Sequence, residues 1–153
     1  MNWYLDPWKK YAQFSGRSHR LEYWAFTLIN LAIWGLLFVF GIMSYGAEHD
    51  GLVPVLLVCW TFGLAAFLPM MACAVRRLHD TGKSGWWLLL IFVPVIVLLV
   101  FSDHPFANRQ LQDVLQYPIV LAPFVGGAIL TVFLLLEGNP GANHHGPNPG
   151  ATA

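Results

Sequence analysis

Four long stretches of this chain contain no Asp, Glu, Lys or Arg, and no other feature narrows the fold as much: Tyr23 to Ala47, Gly51 to Val75, Ser84 to Ser102 and Val114 to Leu136. Each is rich in Leu, Ile, Val and Phe. The hydrocarbon core of a bilayer, about 30 Å thick, is crossed by about 20 apolar residues of α-helix. Three of the stretches exceed that length, and the third, Ser84 to Ser102, is at its short end. A backbone without water must satisfy its own hydrogen bonds, so each stretch has to be helical, even where a run such as Val93 to Val100 has strand-forming residues. The fold class expected is all-α: a polytopic membrane helix bundle with about four transmembrane helices, near 24–43, 53–75, 86–101 and 117–136.

Composition agrees with an apolar solvent. Hydrophobic residues make up 57% and charged residues only 10% of the 153 positions, against about 25% charged in ordinary globular proteins. Eight basic and eight acidic residues cancel, so no net field would draw the chain to nucleic acid, which is not an expected partner. Residues 1–22 carry Asp6, Lys9, Lys10, Arg17, Arg20 and Glu22 without a separate apolar core; they do not look like a secretory signal, and the first span is expected to be retained. Cys59 and Cys73 would lie about 21 Å apart along one helix, too far to bridge, and read as packing residues.

The basic residues give an orientation. Lys9, Lys10, Arg17 and Arg20 precede the first span, Arg76, Arg77 and Lys83 lie between the second and third, and Arg109 alone lies between the third and fourth. The positive-inside rule therefore puts the N-terminus in the cytoplasm. The tail, 137–153, is rich in Pro, Gly and Asn and has no basic residue; its side follows only from counting four crossings. Tyr23, Trp24, Trp86, Trp87 and Tyr117 mark span ends, whereas Trp34 and Trp60 fall mid-span and suggest helix–helix packing. Asp6-Pro7 is a plausible start for a short N-terminal interfacial helix with Trp8, Tyr11 and Ala12 on one face, held by lipid or by the bundle. Pro54, Pro69, Pro94, Pro118 and Pro123 predict kinks or ragged ends. Ala122, Gly126 and Gly127 form a small-residue face for close helix packing, within the chain or in a homo-oligomer. The whole of 1–153 reads as a single membrane domain.

The densest polar motif is Arg76-Arg77-Leu78-His79-Asp80-Thr81-Gly82-Lys83-Ser84-Gly85-Trp86-Trp87. It is read either as a basic turn between antiparallel helices, with Gly82 and Gly85 permitting the reversal, or as a site for anionic lipid headgroups. Gly82-Lys83-Ser84 imitates a P-loop ending, but Arg77 occupies the position of the required glycine and no strand precedes it. His79 beside Asp80 lacks a nucleophile at any recognisable spacing. The six histidines show no metal-ligand spacing. No catalytic, metal-binding or cofactor-binding residue is expected, no cofactor is implied, and the chain is not expected to be an enzyme.

Phe14-Ser15-Gly16-Arg17 with Arg20-Leu21-Glu22-Tyr23-Trp24, the central motif, and Gly138-Asn139-Pro140-Gly141-Ala142-Asn143 with Gly146-Pro147-Asn148-Pro149 together resemble the bacterial inner-membrane family called domain of unknown function 805 (DUF805), over nearly the whole chain. The resemblance implies a small helical inner-membrane protein without an established activity or catalytic residues to carry over. His144-His145 differs from the basic and aromatic pair common in that family, and Trp86 to Glu137 is longer than in its short members. The function expected is a non-enzymatic membrane module that binds a membrane protein partner or anionic lipid headgroups through an inner-face polar cluster: Arg17, Arg20, Glu22, Arg76, Arg77, His79, Asp80 and Lys83. Of these, Arg76, Arg77 and Lys83 are expected to touch headgroups. The alternative is a small oligomeric transporter or channel, disfavoured because Asn30 is the only strongly polar mid-span residue.

Overall fold

The computed structural model describes residues 2–47, 52–102 and 109–149. Among the described residues five α-helices follow one another: α1 (Leu5–Lys9), α2 (Arg20–Ala47), α3 (Leu52–Asp80), α4 (Leu89–Ser102) and α5 (Arg109–Leu135), with a 3-10 turn, Gly85–Leu88, running directly into α4. Among the described residues there is no strand, only an isolated bridge between Asn143 and Gly146. Glu48, His49, Asp50, Asp103 and His104 lie outside the described residues, as does the tail beyond Pro149.

Three helices hold apolar stretches long enough to cross a membrane: Arg20–Ser44, Val53–Asp80 and Tyr117–Leu135. The fourth, Gly85–Val100, is shorter. Its opening 3-10 turn rises about 2.0 Å per residue rather than about 1.5, so Gly85 to Ser102 still covers about 30 Å. In the most apolar windows of α2, α3 and α5 only 17%, 22% and 17% of residues are buried within the chain. Leu36, Phe38, Met43, Leu64 and Phe124 all point outward. Water would not tolerate so continuous an apolar surface, and hydrocarbon does. The protein is an all-α, polytopic membrane helix bundle.

Packing divides it into two helical pairs, α2 with α3 and α4 with α5, while α3 touches the 3-10 turn and α5. Glycine sets both close approaches. A Cβ at Gly63 would come within 2.6 Å of the Trp34 ring, so Trp34 packs between α2 and α3. Trp60, expected to pack likewise, is 67% exposed and shares an outward face with Leu64 and Phe67. That stripe follows helical spacing; Phe67 meets the Phe92 ring of α4 edge-on at 6.3 Å, and Trp60 and Leu64 face outward.

In the second pair a Cβ at Gly126 would fall 2.2 Å from the carbonyl oxygen of Leu90, whereas one at Gly127 would find nothing nearer than Ile91 at 4.0 Å. Gly126 is buried in this contact and Ala122 half-buried one turn earlier. The Leu90 oxygen is free because Pro94, four residues on, has no N–H to offer it. The bare α5 backbone at Gly126 can therefore approach an oxygen that a regular helix would have occupied. Pro69, Pro94, Pro118 and Pro123 all sit inside continuous helices, so prolines modify the spans here without ending them.

Pro69 has the same effect in α3. It leaves the Ala65 oxygen without its helical donor, and the Tyr11 hydroxyl donates to that oxygen at 2.8 Å. This bond, the edge of Trp8 against Phe26 at 5.8 Å and the burial of Pro7 hold α1 against the sides of α2 and α3. With only five residues, α1 depends on these contacts, since so short a helix has no stability of its own. Tyr11→Phe is expected to lower the melting temperature in detergent by a few degrees, matching about 1–3 kcal/mol for an orphaned carbonyl. Pro69→Ala, which restores the N–H, should abolish the effect of Tyr11→Phe; an equal loss with and without the Pro69→Ala change would refute the assignment.

Candidate polar site at one end of the bundle

The end of α3 begins the site. Leu78 O accepts from Lys83 N at 2.9 Å and His79 O from Gly82 N at 3.0 Å, with Gly82 at φ +72°. This paired helix stop needs a left-handed residue, which is why a glycine follows Thr81. The reversal lets the 3-10 turn begin at once: Ser84 Oγ accepts from Trp86 N, and Gly85 lies so close to Val75 that a Cβ would stand 2.9 Å from it. The last turn of α3 is left with Arg76, Arg77 and Asp80 buried and His79 half-buried.

Asp80 is the centre. Its Oδ1 accepts from Arg17 Nε at 2.9 Å and pairs with Arg17 Nη2 at 2.8 Å; its Oδ2 pairs with Arg77 Nη1. The Asp80 backbone oxygen accepts from Asn139 N at 2.8 Å. A Cβ at Gly138 would fall 2.0 Å from Oδ2, so only glycine lets the tail pass over this carboxylate. Arg17 also donates to Asn139 O and Gly141 O, both at 2.6 Å, and to Gly146 O at 3.3 Å. Arg77 donates to Leu134 O at 3.1 Å and to Leu136 O at the exit of α5.

The tail is bound further by His79. Its Nδ1 lies 3.2 Å from Gly16 O, its ring stacks on His145 at 3.8 Å and 2°, and its backbone oxygen accepts from Asn143 Nδ2 at 2.8 Å. Beside this centre lies a second one. Arg76 donates to Lys10 O at 3.2 Å and Gln13 O at 2.6 Å. Glu22 Oε1 is 3.6 Å from Arg76 Nη2 and 3.8 Å from Lys10 Nζ. Ser18 N donates to Arg76 O at 3.1 Å. The segment before α2, the end of α3 and the tail thus meet at one end of the bundle.

Of the eight residues singled out from sequence, Arg17, Glu22, Arg76, Arg77, His79 and Asp80 come together. Lys83 stands apart, its ammonium 4.4 Å from the centroid of Phe133. Arg20 is exposed. Arg76 and Arg77, expected to reach headgroups, are instead buried and hold protein groups, and Lys83 is half-buried beside an aromatic ring. The sequence reading missed the acceptors, the carbonyls of Leu134, Leu136, Asn139, Gly141 and Gly146, since nothing in a side-chain pattern marks a free carbonyl. It also missed the His79–His145 stack.

These elements wall a polar cavity of about 300 Å³ lined by His19, Arg20, Arg77, Asp80, Glu137 and Asn148, among others. Among the described residues no group of three or more His, Cys, Asp or Glu side chains could hold a metal. Asp80→Asn is expected to cost about 3–5 kcal/mol, because it leaves two buried guanidiniums without a countercharge. Amide hydrogen exchange over 138–149 should rise together with it. Full protection of the tail in Asp80→Asn would show that the carboxylate does not hold it.

The family described as Protein of unknown function (DUF805) matches residues 11–147. The chain is 38% identical to Inner membrane protein YhaI of Escherichia coli (strain K12), over 97% of this chain and 96% of that one. It is 34% identical to Inner membrane protein YhaH of the same strain, over 97% of each. No solved structure matches. Similarity of this extent covers all three segments of the polar site, and the chain belongs to the DUF805 family.

Proposed function

We propose that this protein is a non-enzymatic module of the bacterial inner membrane that binds a partner protein or anionic lipid at its cytoplasmic face. The observation that carries this reading is the polar cavity, whose walls are braced by charges that the fold has already fixed. A site held this way recognises a ligand without first having to order its own side chains. The non-enzymatic part is supported by what His79 and Asp80 already do. Both carboxylate oxygens of Asp80 face guanidiniums, and the imidazole of His79 is engaged by Gly16 O and covered by His145, so neither is free to exchange a proton with a substrate. The membrane assignment is supported by the names of the YhaI and YhaH relatives and by the apolar helices. The cytoplasmic placement of the polar end is supported by Lys9, Lys10, Arg17, Arg20, Arg76, Arg77 and Lys83, against Arg109 on the opposite side.

A transporter or channel remains the competing class, and Asn30 is the residue it would use. The Asn30 side chain is buried and donates to Phe26 O at 2.8 Å within its own helix, which ties its amide nitrogen locally, while its Oδ1 and the Thr27 hydroxyl are buried without a hydrogen-bond partner among the described residues. Purified protein in liposomes is expected to leave ion and solute flux at the level of protein-free vesicles, and material extracted in mild detergent should retain a specific lipid or protein. Flux above that level would replace the module with a transporter; retention of neither lipid nor protein would sink the binding reading.

A further inference from the structure

The cavity has a charge imbalance. Its buried wall is the Asp80 carboxylate, whose two oxygens are shared between the guanidiniums of Arg17 and Arg77, all three side chains being at most 5% exposed. One negative charge therefore serves two buried positive ones. The carbonyls of Leu134, Leu136, Asn139, Gly141 and Gly146 solvate the guanidinium edges, yet dipoles carry no net charge. Arg20, at the first turn of α2, brings a third guanidinium to the same cavity. It is exposed, and no hydrogen bond or ion pair engages its side chain among the described residues. Glu137 lines the same cavity, also exposed and also without an ion pair among the described residues. The guanidiniums of Arg20 and Arg77 and the carboxylates of Asp80 and Glu137 line the space; Arg17, bound to Asp80 from behind, adds the positive charge that leaves the group one in excess.

Position and shape narrow the ligand. The cavity lies where α2 begins and where α3 and α5 end, at the level a bilayer fills with phosphate. A guanidinium fork matches phosphate oxygens and holds its charge at any physiological pH. About 300 Å³ is the small end of ligand-sized cavities, enough for a headgroup and too little for a bulky nucleotide. Glu137 repels a dianion about twice as strongly as a monoanion, since Coulomb energy scales with charge.

We propose that this cavity binds a singly charged phosphodiester, with Arg20 closing on its oxygens and the buried Arg17–Asp80–Arg77 group supplying the excess positive field. This rests on the reading of the protein as a binding module and names the ligand of its site. The chemistry is shared by a membrane phospholipid headgroup and a soluble phosphodiester.

The full chain, purified in dodecyl maltoside, is titrated with phosphatidylglycerol and, in parallel, with a diacylglycerol that has no phosphate, bound lipid being counted by native mass spectrometry. Wild type is expected to prefer phosphatidylglycerol. Arg20→Gln should weaken that binding by about tenfold or more, the worth of a charge-assisted hydrogen bond, while its melting temperature without lipid stays that of wild type, because Arg20 holds nothing in the fold. Glu137→Gln should tighten binding several-fold by removing a like charge. Soluble glycerophosphoglycerol that displaces the lipid would identify the free phosphodiester as a sufficient ligand; failure to displace it, with the variant effects intact, would identify the membrane lipid. Equal binding by wild type and both variants would overturn the cavity assignment and leave the module reading standing on whatever lipid is still held. Weaker binding by Glu137→Gln would overturn the charge argument itself. A wild type with no preference for phosphatidylglycerol that still retains a partner protein would overturn the phosphodiester and leave the module.

Discussion

The carboxylate of Asp80, shared between Arg17 and Arg77, is the interaction on which the rest of the polar end depends. It fixes the segment before α2 through Arg17, and it fixes the exit of α5 through Arg77, whose other nitrogens bind the carbonyls of Leu134 and Leu136. It fixes the tail through the close passage of Gly138 and through the carbonyls that Arg17 collects. Each attachment depends on the others, because a guanidinium released from Asp80 would be a buried charge with only dipoles for company. At a membrane boundary such bonds are also less weakened by water than on an open surface.

That polar end supplies what the spans alone lack. Lipid tails are as apolar as the side chains of α2 to α5, so burial against a neighbouring helix gains little, and close backbone approach and hydrogen bonds must supply the rest. The chain has a few such contacts: Trp34 in the space left by Gly63, the Leu90 oxygen against Gly126, and Tyr11 on the Ala65 oxygen. Two of the three exist because a proline withdrew an N–H. Pro69 and Pro94 thus act as sources of free acceptors, each matched by a residue elsewhere in the chain, and this explains why they persist inside uninterrupted helices.

Much of this was legible in the sequence. The charge-free stretches located the apolar helices α2 to α5, Gly82 marked the end of α3, and the motif residues around Arg17, Arg76, Arg77 and Asp80 pointed to one polar cluster. The part that stayed hidden has a common cause. Which arginines turn inward depends on carbonyl acceptors that become available only when α5 ends near α3, and Arg17 and Arg20, so close in sequence, are told apart only by that arrangement. Trp60 misled because a mid-span tryptophan packs equally well against lipid or protein, and its facing is set by where α2 lies. At Pro69 and Pro94 the sequence predicts only kinks or ragged ends; the oxygens of Ala65 and Leu90, each four residues earlier, gain meaning once Tyr11 and Gly126 stand beside them.

The central claim is that the segment before α2, the end of α3 and the tail share one side of the membrane because one carboxylate joins them. Exposed Ser15, Ser84 and Ala142, one on each of the three segments, give the most direct test. Each is replaced singly by cysteine in a chain whose Cys59 and Cys73 are alanine, and a membrane-impermeant thiol reagent is applied to spheroplasts before and after the membrane is opened. The account predicts that Ser15→Cys, Ser84→Cys and Ala142→Cys react only once it is opened. Reaction of Ala142→Cys from outside, with the other two protected, would place the tail across the membrane from Asp80 and contradict it.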